Sequence, residues 1–443
     1  MRGFLTLLIG FILSAPLTGL TADDWLQFRG PGARGVADGS SIPDSWSTEK
    51  NVAWSVETRG MGWSSPIVVG NRIIYTTVIN DGKTESPRKG LYFGGNRPTI
   101  PQSLHHWMVV CRNLENGEVV WEKQVNEGRP GNGVHLKNSL ASETPVSDGT
   151  HIYTYFGNHQ LSCLDLKGDM VWSQKMAVHK IRFDWGTAAS PVLHGDLLFV
   201  VDDNDEKSTL TAYDKKTGEQ KWQVERDEKS NWATPFVWKN DVRTEIITPG
   251  TGLTRAYDLE GKELYRFKGS SSITIATPYT AHGLLYISSG YVLDGRRPIF
   301  ALRPGSEGDI SLEAGQTSNN YIQWCQPLAA PYNPTTLVYK DLLYVLYDRG
   351  FFACYDAKTG EEKYGKQRLP LGRAFTSSPW ASKGKIYCLN EDGVTFVIKA
   401  GSTYELLGTS SLAEDDMCMA TPAIVGNKLI IRTAARIYCI SSE

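Results

Sequence analysis

A single pattern recurs along almost the whole chain. It runs (Ser/Thr)-Pro, a short gap to Gly, an apolar strand, then (Cys/Ala)-x-Asp-x-x-x-Gly and an aromatic residue. One copy reads Ser190-Pro191-Val192-Leu193-His194-Gly195, followed by Ala212-Tyr213-Asp214, Gly218 and Trp222. Another reads Thr144-Pro145-Val146-Ser147-Asp148-Gly149, followed by Cys163-Leu164-Asp165, Gly168 and Trp172. Short strands and tight turns repeating at roughly 40–50 residues are the signature of a β-propeller.

Eight copies align. Their first strands start near Ser65-Pro66, Thr144-Pro145, Ser190-Pro191, Thr234-Pro235, Thr277-Pro278, Thr335-Thr336, Ser378-Pro379 and Thr421-Pro422. Proline cannot donate to a ladder, so it suits an edge strand lining a central channel. The Asp/Asn-to-Gly turns close the third strand, with Gly supplying positive φ. The ring on the fourth strand (Trp121, Trp172, Trp222, Tyr265, Trp324, Tyr364) is expected to pack between blades. The eighth copy ends without its outer strand, and Asn51–Val56, with Trp54, supplies it. The expected fold is therefore all-β: an eight-bladed β-propeller closed by pairing of N- and C-terminal strands, which removes an open edge.

Signal peptide 1–22, N-terminal extension 23–50 and one propeller domain 51–443 is the expected organisation. Arg2 and the apolar Phe4–Leu17 stretch resemble a secretory signal, too short for a membrane span. Export is expected, to the periplasm or outside, with no transmembrane segment after signal removal and no lipid-attachment Cys. The net charge of −2 gives no global field for nucleic acid. Seven cysteines would suggest disulfides in an exported chain. However, Cys111, Cys163, Cys354 and Cys439 share a repeat position with Ala212, Ala256 and Ala301, as small buried packing residues would.

The Ala-x-Asp-x-x-Thr-Gly-x-x-x-Trp element of the third copy resembles the docking motif of the quinoprotein-type (PQQ-like) propeller repeat over residues 51–441. That family includes the outer-membrane assembly lipoprotein BamB and the quinoprotein alcohol dehydrogenases. The opening Trp25-Leu26-Gln27-Phe28-Arg29-Gly30-Pro31 resembles exported PQQ-like repeat proteins of planctomycete type. The resemblance implies two different activities, a partner-holding scaffold or a dehydrogenase. The enzymes of the family hold the quinone on a Trp platform with Ca²⁺, an Asp base and a vicinal disulfide. Here no two cysteines are adjacent and no Cys-x-x-Cys-His haem motif occurs.

Strand alternation places most long segments on one face: 79–107, 127–142, 175–187, 202–208 and 288–297. Segment 304–321 falls on the other. Long loops on a rigid ring are the default binding surface. Ligand-binding candidates there are His135, Lys137, Asn138, Glu143, Arg182, Asp184, Trp185, Asn231, Trp232, Tyr332, Asn333, Asp348, Arg349 and Arg373, with Asn204 and Tyr291 beside them. Glu143 stands where other copies hold Ser64, Ala189, Ala233 or Ala276, so it is a carboxylate expected at the channel. Arg182-Phe183-Asp184-Trp185 either presents a cation and a ring or pins its own connector. Asp202–Glu206 reads as a solvated acidic loop rather than a calcium cage. His105-His106 reads as a surface or loop-packing pair. No catalytic constellation and no metal site is evident. The expected function is an exported, non-catalytic binding or scaffold module of the cell envelope, taking a partner protein, small molecule or glycan on the long-loop face. The alternatives are a PQQ-dependent dehydrogenase with Ca²⁺ and a carbohydrate-binding or carbohydrate-modifying propeller.

Overall fold

The computed structural model describes residues 24–83, 85–93, 100–412 and 415–442. The signal-peptide segment lies outside the described residues. Eight antiparallel sheets form the ring. Blade three shows the unit: Val192–His194, Leu197–Asp202, Thr209–Asp214 and Gln220–Glu225, joined in chain order from the channel outward. Blade eight takes its outer strand, Val52–Glu57, from the start of the chain, paired with Arg436–Ile440. The ring closes as the truncated eighth copy requires. Segment 304–321 adds Gly308–Asp309 parallel to the outer strand of blade four, making that sheet five-stranded.

The repeat residues explain how blades dock. Each outer-strand Trp crosses to the next blade and donates its indole N–H to a turn carbonyl there. Trp54 reaches Leu114 O, Trp121 reaches Leu166 O, Trp172 reaches Lys215 O, Trp222 reaches Leu259 O and Trp324 reaches Ala357 O. The ring lies on the turn glycine. A Cβ on Gly218 would sit 2.5 Å from Trp172. Opposite each ring on its own blade stands a small residue: Cys163 faces Trp172, Ala212 faces Trp222 and Cys439 faces Trp54. Blade seven reverses the pairing, with Val397 facing Gly408. All seven cysteines are buried and free, and burial pushes the thiols of Cys111, Cys163 and Cys354 up to about 12.

A second belt runs inside. The (Ser/Thr)-Pro hydroxyls form a ring at the channel, two residues before each first strand. The backbone N–H of seven of these eight residues donates to the hydroxyl of the next blade: Ser65 to Thr144, Thr144 to Ser190, Ser190 to Thr234, Thr277 to Thr335, Thr335 to Ser378, Ser378 to Thr421 and Thr421 to Ser65. The link from Thr234 to Thr277 is not made. The prolines stay outside the ladders, where a missing N–H costs nothing.

Residues 24–42 enter the short-loop end of the channel as a strap. Trp25 exchanges backbone bonds with Val68 of blade one, and Ser147 of blade two donates to Leu26 O. Arg29 is fully buried and donates to the carbonyls of Ala33, Arg34, Thr335 and Thr336. Ala37 and Gly35 pair with Ala381 of blade seven, and Ser41 donates to Gly426 O of blade eight. Arg29 and Ala33 adopt positive φ, 62° and 54°, a strain of about 1–2 kcal/mol each. The Arg29 bonds offset it, because a buried guanidinium without acceptors would be far costlier. Burial lowers the Arg29 pKa to about 10.

Candidate functional site

Above the strap lies a cavity of about 410 Å³. Its floor is Phe28, and its lower wall is the hydroxyl ring. Trp63, Trp185, Trp232, Tyr291 and Tyr332 line it higher up. Trp185 and Trp232 pack at 5.8 Å, and Tyr291 and Tyr332 at 5.2 Å. The Trp232 indole is fixed by a 2.7 Å bond to Gly186 O. Residues 90–93 contribute the roof. Gly90 N–H donates to Glu391 Oε2 at 2.8 Å, and Lys137 Nζ donates to Gly90 O at 3.0 Å. Lys137 and Glu391 also pair directly in a buried ion pair. His135 contacts Tyr92 O at 3.0 Å, and Phe93 packs on Trp185 and Phe183.

Eight of the sequence candidates come together on this lining: His135, Lys137, Asn138, Trp185, Trp232, Tyr332, Asn333 and Arg349, with Tyr291. The others do not line it. Glu143 is a correction. Its carboxyl is buried beneath the wall, accepting Thr187 Oγ1 at 2.6 Å and Gly157 N–H at 3.2 Å, and desolvation raises its pKa. Asp348 is buried too, accepting the N–H groups of Tyr332 and Asn333 at 2.8 Å each. It shapes the wall from behind, and burial raises its pKa. Asn231 spends its amide on Thr274, Thr251 and Lys229, joining connector to blade. Arg182 pins its connector to Ser272 O, so the pinning reading holds for Arg182 while Trp185 reaches the chamber. Asp184 is exposed beside Gly133, and Arg373 is exposed with Asp392 at 3.8 Å.

The acidic loop is a second correction. Asp202, Asp203 and Asn204 are buried. Asp203 pairs with Arg226 at 3.2 Å, Asp202 with His179 at 2.8 Å, and Asn204 holds the loop's own backbone. The Arg226 guanidinium and the His179 imidazole, contributed by neighbouring segments, supply the partners that make this burial tolerable. His105 is buried, and His106 lies between Asp81 and Glu127.

Glu391 escaped the sequence reading. It follows the channel hydroxyl Ser378 by the same interval as Asp348 follows Thr335. That repeat position was the available signal.

Electrostatically the lining is distinctive. Among the described residues it holds Lys137, Arg349 and His135 but no Asp or Glu, and Glu391 already neutralises Lys137. Calcium requires six to eight oxygens with carboxylates among them. Among the described residues no cluster of three or more His, Cys, Asp or Glu is placed to hold a metal. The residues present do not fit a calcium-supported quinone.

These features define a closed eight-bladed propeller with a strapped channel and an aromatic-walled chamber. A family model described as outer membrane protein assembly factor BamB matches residues 107–237, a stretch within the propeller. The crystal structure of BamB from Moraxella catarrhalis is similar over 88% of this chain and 99% of that one, at 13% identity and TM-score 0.58. A europium-containing methanol dehydrogenase is similar over 92% and 89%, at 12% identity and TM-score 0.60. Quinohemoprotein alcohol dehydrogenase from Comamonas testosteroni is similar over 95% and 81%, at 12% identity and TM-score 0.57. At such identities these structures share the fold. No curated protein matches significantly.

Proposed function

We propose that this propeller is an exported binding module that holds a small ligand in its central chamber. One observation carries the reading. The chain's own N-terminal strap puts a floor under the aromatic-walled part of the channel, leaving a concavity of ligand size. The walls are pre-formed: Asp348 fixes the Tyr332 connector, and Gly186 fixes Trp232. The BamB-like architecture accords with a binding role in the cell envelope, and the long-loop face around the mouth is free to meet a partner. Titration with PQQ, with and without Ca²⁺, tests the reading against the dehydrogenase alternative. Tight Ca²⁺-dependent binding would overturn it. A melting-temperature increase with a ligand of other chemistry, and no Ca²⁺-dependent increase with PQQ, supports it, because a ligand of the folded state must stabilise that state.

A further inference from the structure

The ring hydroxyls have an uneven hydrogen-bond inventory. Seven of them already accept a backbone N–H from the neighbouring blade. None donates its own proton to a described residue. Thr277 differs again, since its hydroxyl neither accepts nor donates among the described residues, yet it lines the chamber. A hydroxyl carries one proton and rotates it to whatever acceptor is present. Here the acceptor has to come from inside the channel.

One further donor group joins the ring. Arg349, an exposed residue, borders the chamber with no side-chain partner among the described residues. Among the described residues no carboxylate on the lining competes for these protons. The hydroxyls can donate or accept, so the excess of donors comes from the Arg349 guanidinium, which has no acceptor of its own; a ligand rich in acceptors matches it, and ionised oxygens accept most strongly.

We propose that the chamber recognises an oxyanion group (a carboxylate, or a phosphate or sulfate ester) carried on a small ligand whose ring or apolar body lies against the aromatic wall. This rests on the chamber being the binding site. The anion is held by the hydroxyl ring and Arg349, with the Thr277 hydroxyl as the one in the ring that bonds no other described residue.

The experiment is calorimetric titration of the full mature chain with four probes of one shape: phenylacetate, phenyl phosphate, 2-phenylethanol and phenethylamine. Both oxyanions are expected to bind at least about tenfold more tightly than the alcohol and the amine, since charge-assisted bonds are the strong ones. The preferred oxyanion assigns the group as carboxylate or phosphate-like. Thr277→Val and Arg349→Gln should each weaken oxyanion binding about tenfold or more, with the melting temperature unchanged and alcohol binding unaffected. Equal binding of all four probes, or preference for the amine, overturns the oxyanion proposal but leaves the chamber as a site. An oxyanion preference that survives in both variants also overturns it. Binding of none of the probes contradicts the chamber reading together with the proposal.

Discussion

Lys137 and Glu391 stand 254 residues apart in the chain and form a buried ion pair across the channel mouth. Glu391 also accepts Gly90 N–H and Thr376 Oγ1, and Lys137 also donates to Gly90 O. The pair therefore ties blades two and seven to the roof segment. Removing one partner of a buried pair leaves an uncompensated charge, which costs about 3–5 kcal/mol. Glu391→Gln should lower unfolding free energy by that order in urea titrations. It should also speed proteolytic cleavage near residue 90. Adding Lys137→Met should restore part of the loss, because the two changes share one interaction.

The blade-docking geometry makes a sharper distinction between two glycines of one blade. Both Gly218 and Gly195 have positive φ, 74° and 57°, but a Cβ on Gly218 strikes the Trp172 ring while one on Gly195 meets nothing within 4 Å. Gly195→Ala should cost about 1–2 kcal/mol, the left-handed penalty alone. Gly218→Ala adds overpacking, for about 2–5 kcal/mol in total. Denaturant midpoints of the two variants compare them directly.

His159 lies 4.1 Å from the Trp107 ring between centroids, and burial lowers its pKa to about 4. Above pH 6.5 the imidazole is neutral in both folded and unfolded chains, so its contribution is constant. Between pH 6.5 and about 4 the unfolded chain takes up a proton that the fold excludes, and stability falls as pH falls. Below about 4 the effect levels off. Each pH step of one across that window removes about 1.4 kcal/mol, so the whole loss is a few kcal/mol. His159→Phe should flatten this part of the stability–pH curve measured by urea unfolding.

Phe28 lines both the chamber and a second cavity of about 250 Å³ beneath it, where blades three to five face the strap. Phe28→Ala should join the two spaces. A crystal structure of the variant under xenon should show gas on both sides of the residue 28 position. Arg29 keeps the strap in place in that variant.

The architecture was legible because it repeats. An outer-strand ring, a Trp in five of the eight blades, and a turn Gly recur at fixed spacing, so their docking role is visible in copies such as the second and third. The other half of the same repeat was less transparent. Pro66 and its equivalents pointed to strand edges, but the hydroxyl before each proline bonds a backbone N–H in another blade, a partner no local pattern displays. Glu143 misled because an unusual carboxylate at a channel position does not reveal whether it faces the channel or the next blade. Asp202 and Asp203 looked solvated because Arg226 and His179 arrive from other segments. The strap was invisible as a floor for the same reason: Arg29 acquires its meaning from the carbonyls of Thr335 and Thr336, some three hundred residues away.

The most direct test of the chamber as the ligand site is a thermal-shift screen run in parallel on the native chain and on Ala188→Trp. Ala188 lines the chamber wall, and an indole there fills the space while leaving the outer surface intact. A library of small carboxylates, phosphate esters and saccharides serves as the probe set. Ligands that stabilise the native chain but not Ala188→Trp, with equal melting temperatures for the two unliganded proteins, are the predicted result. Ligands that stabilise both chains equally would place binding elsewhere and contradict the account.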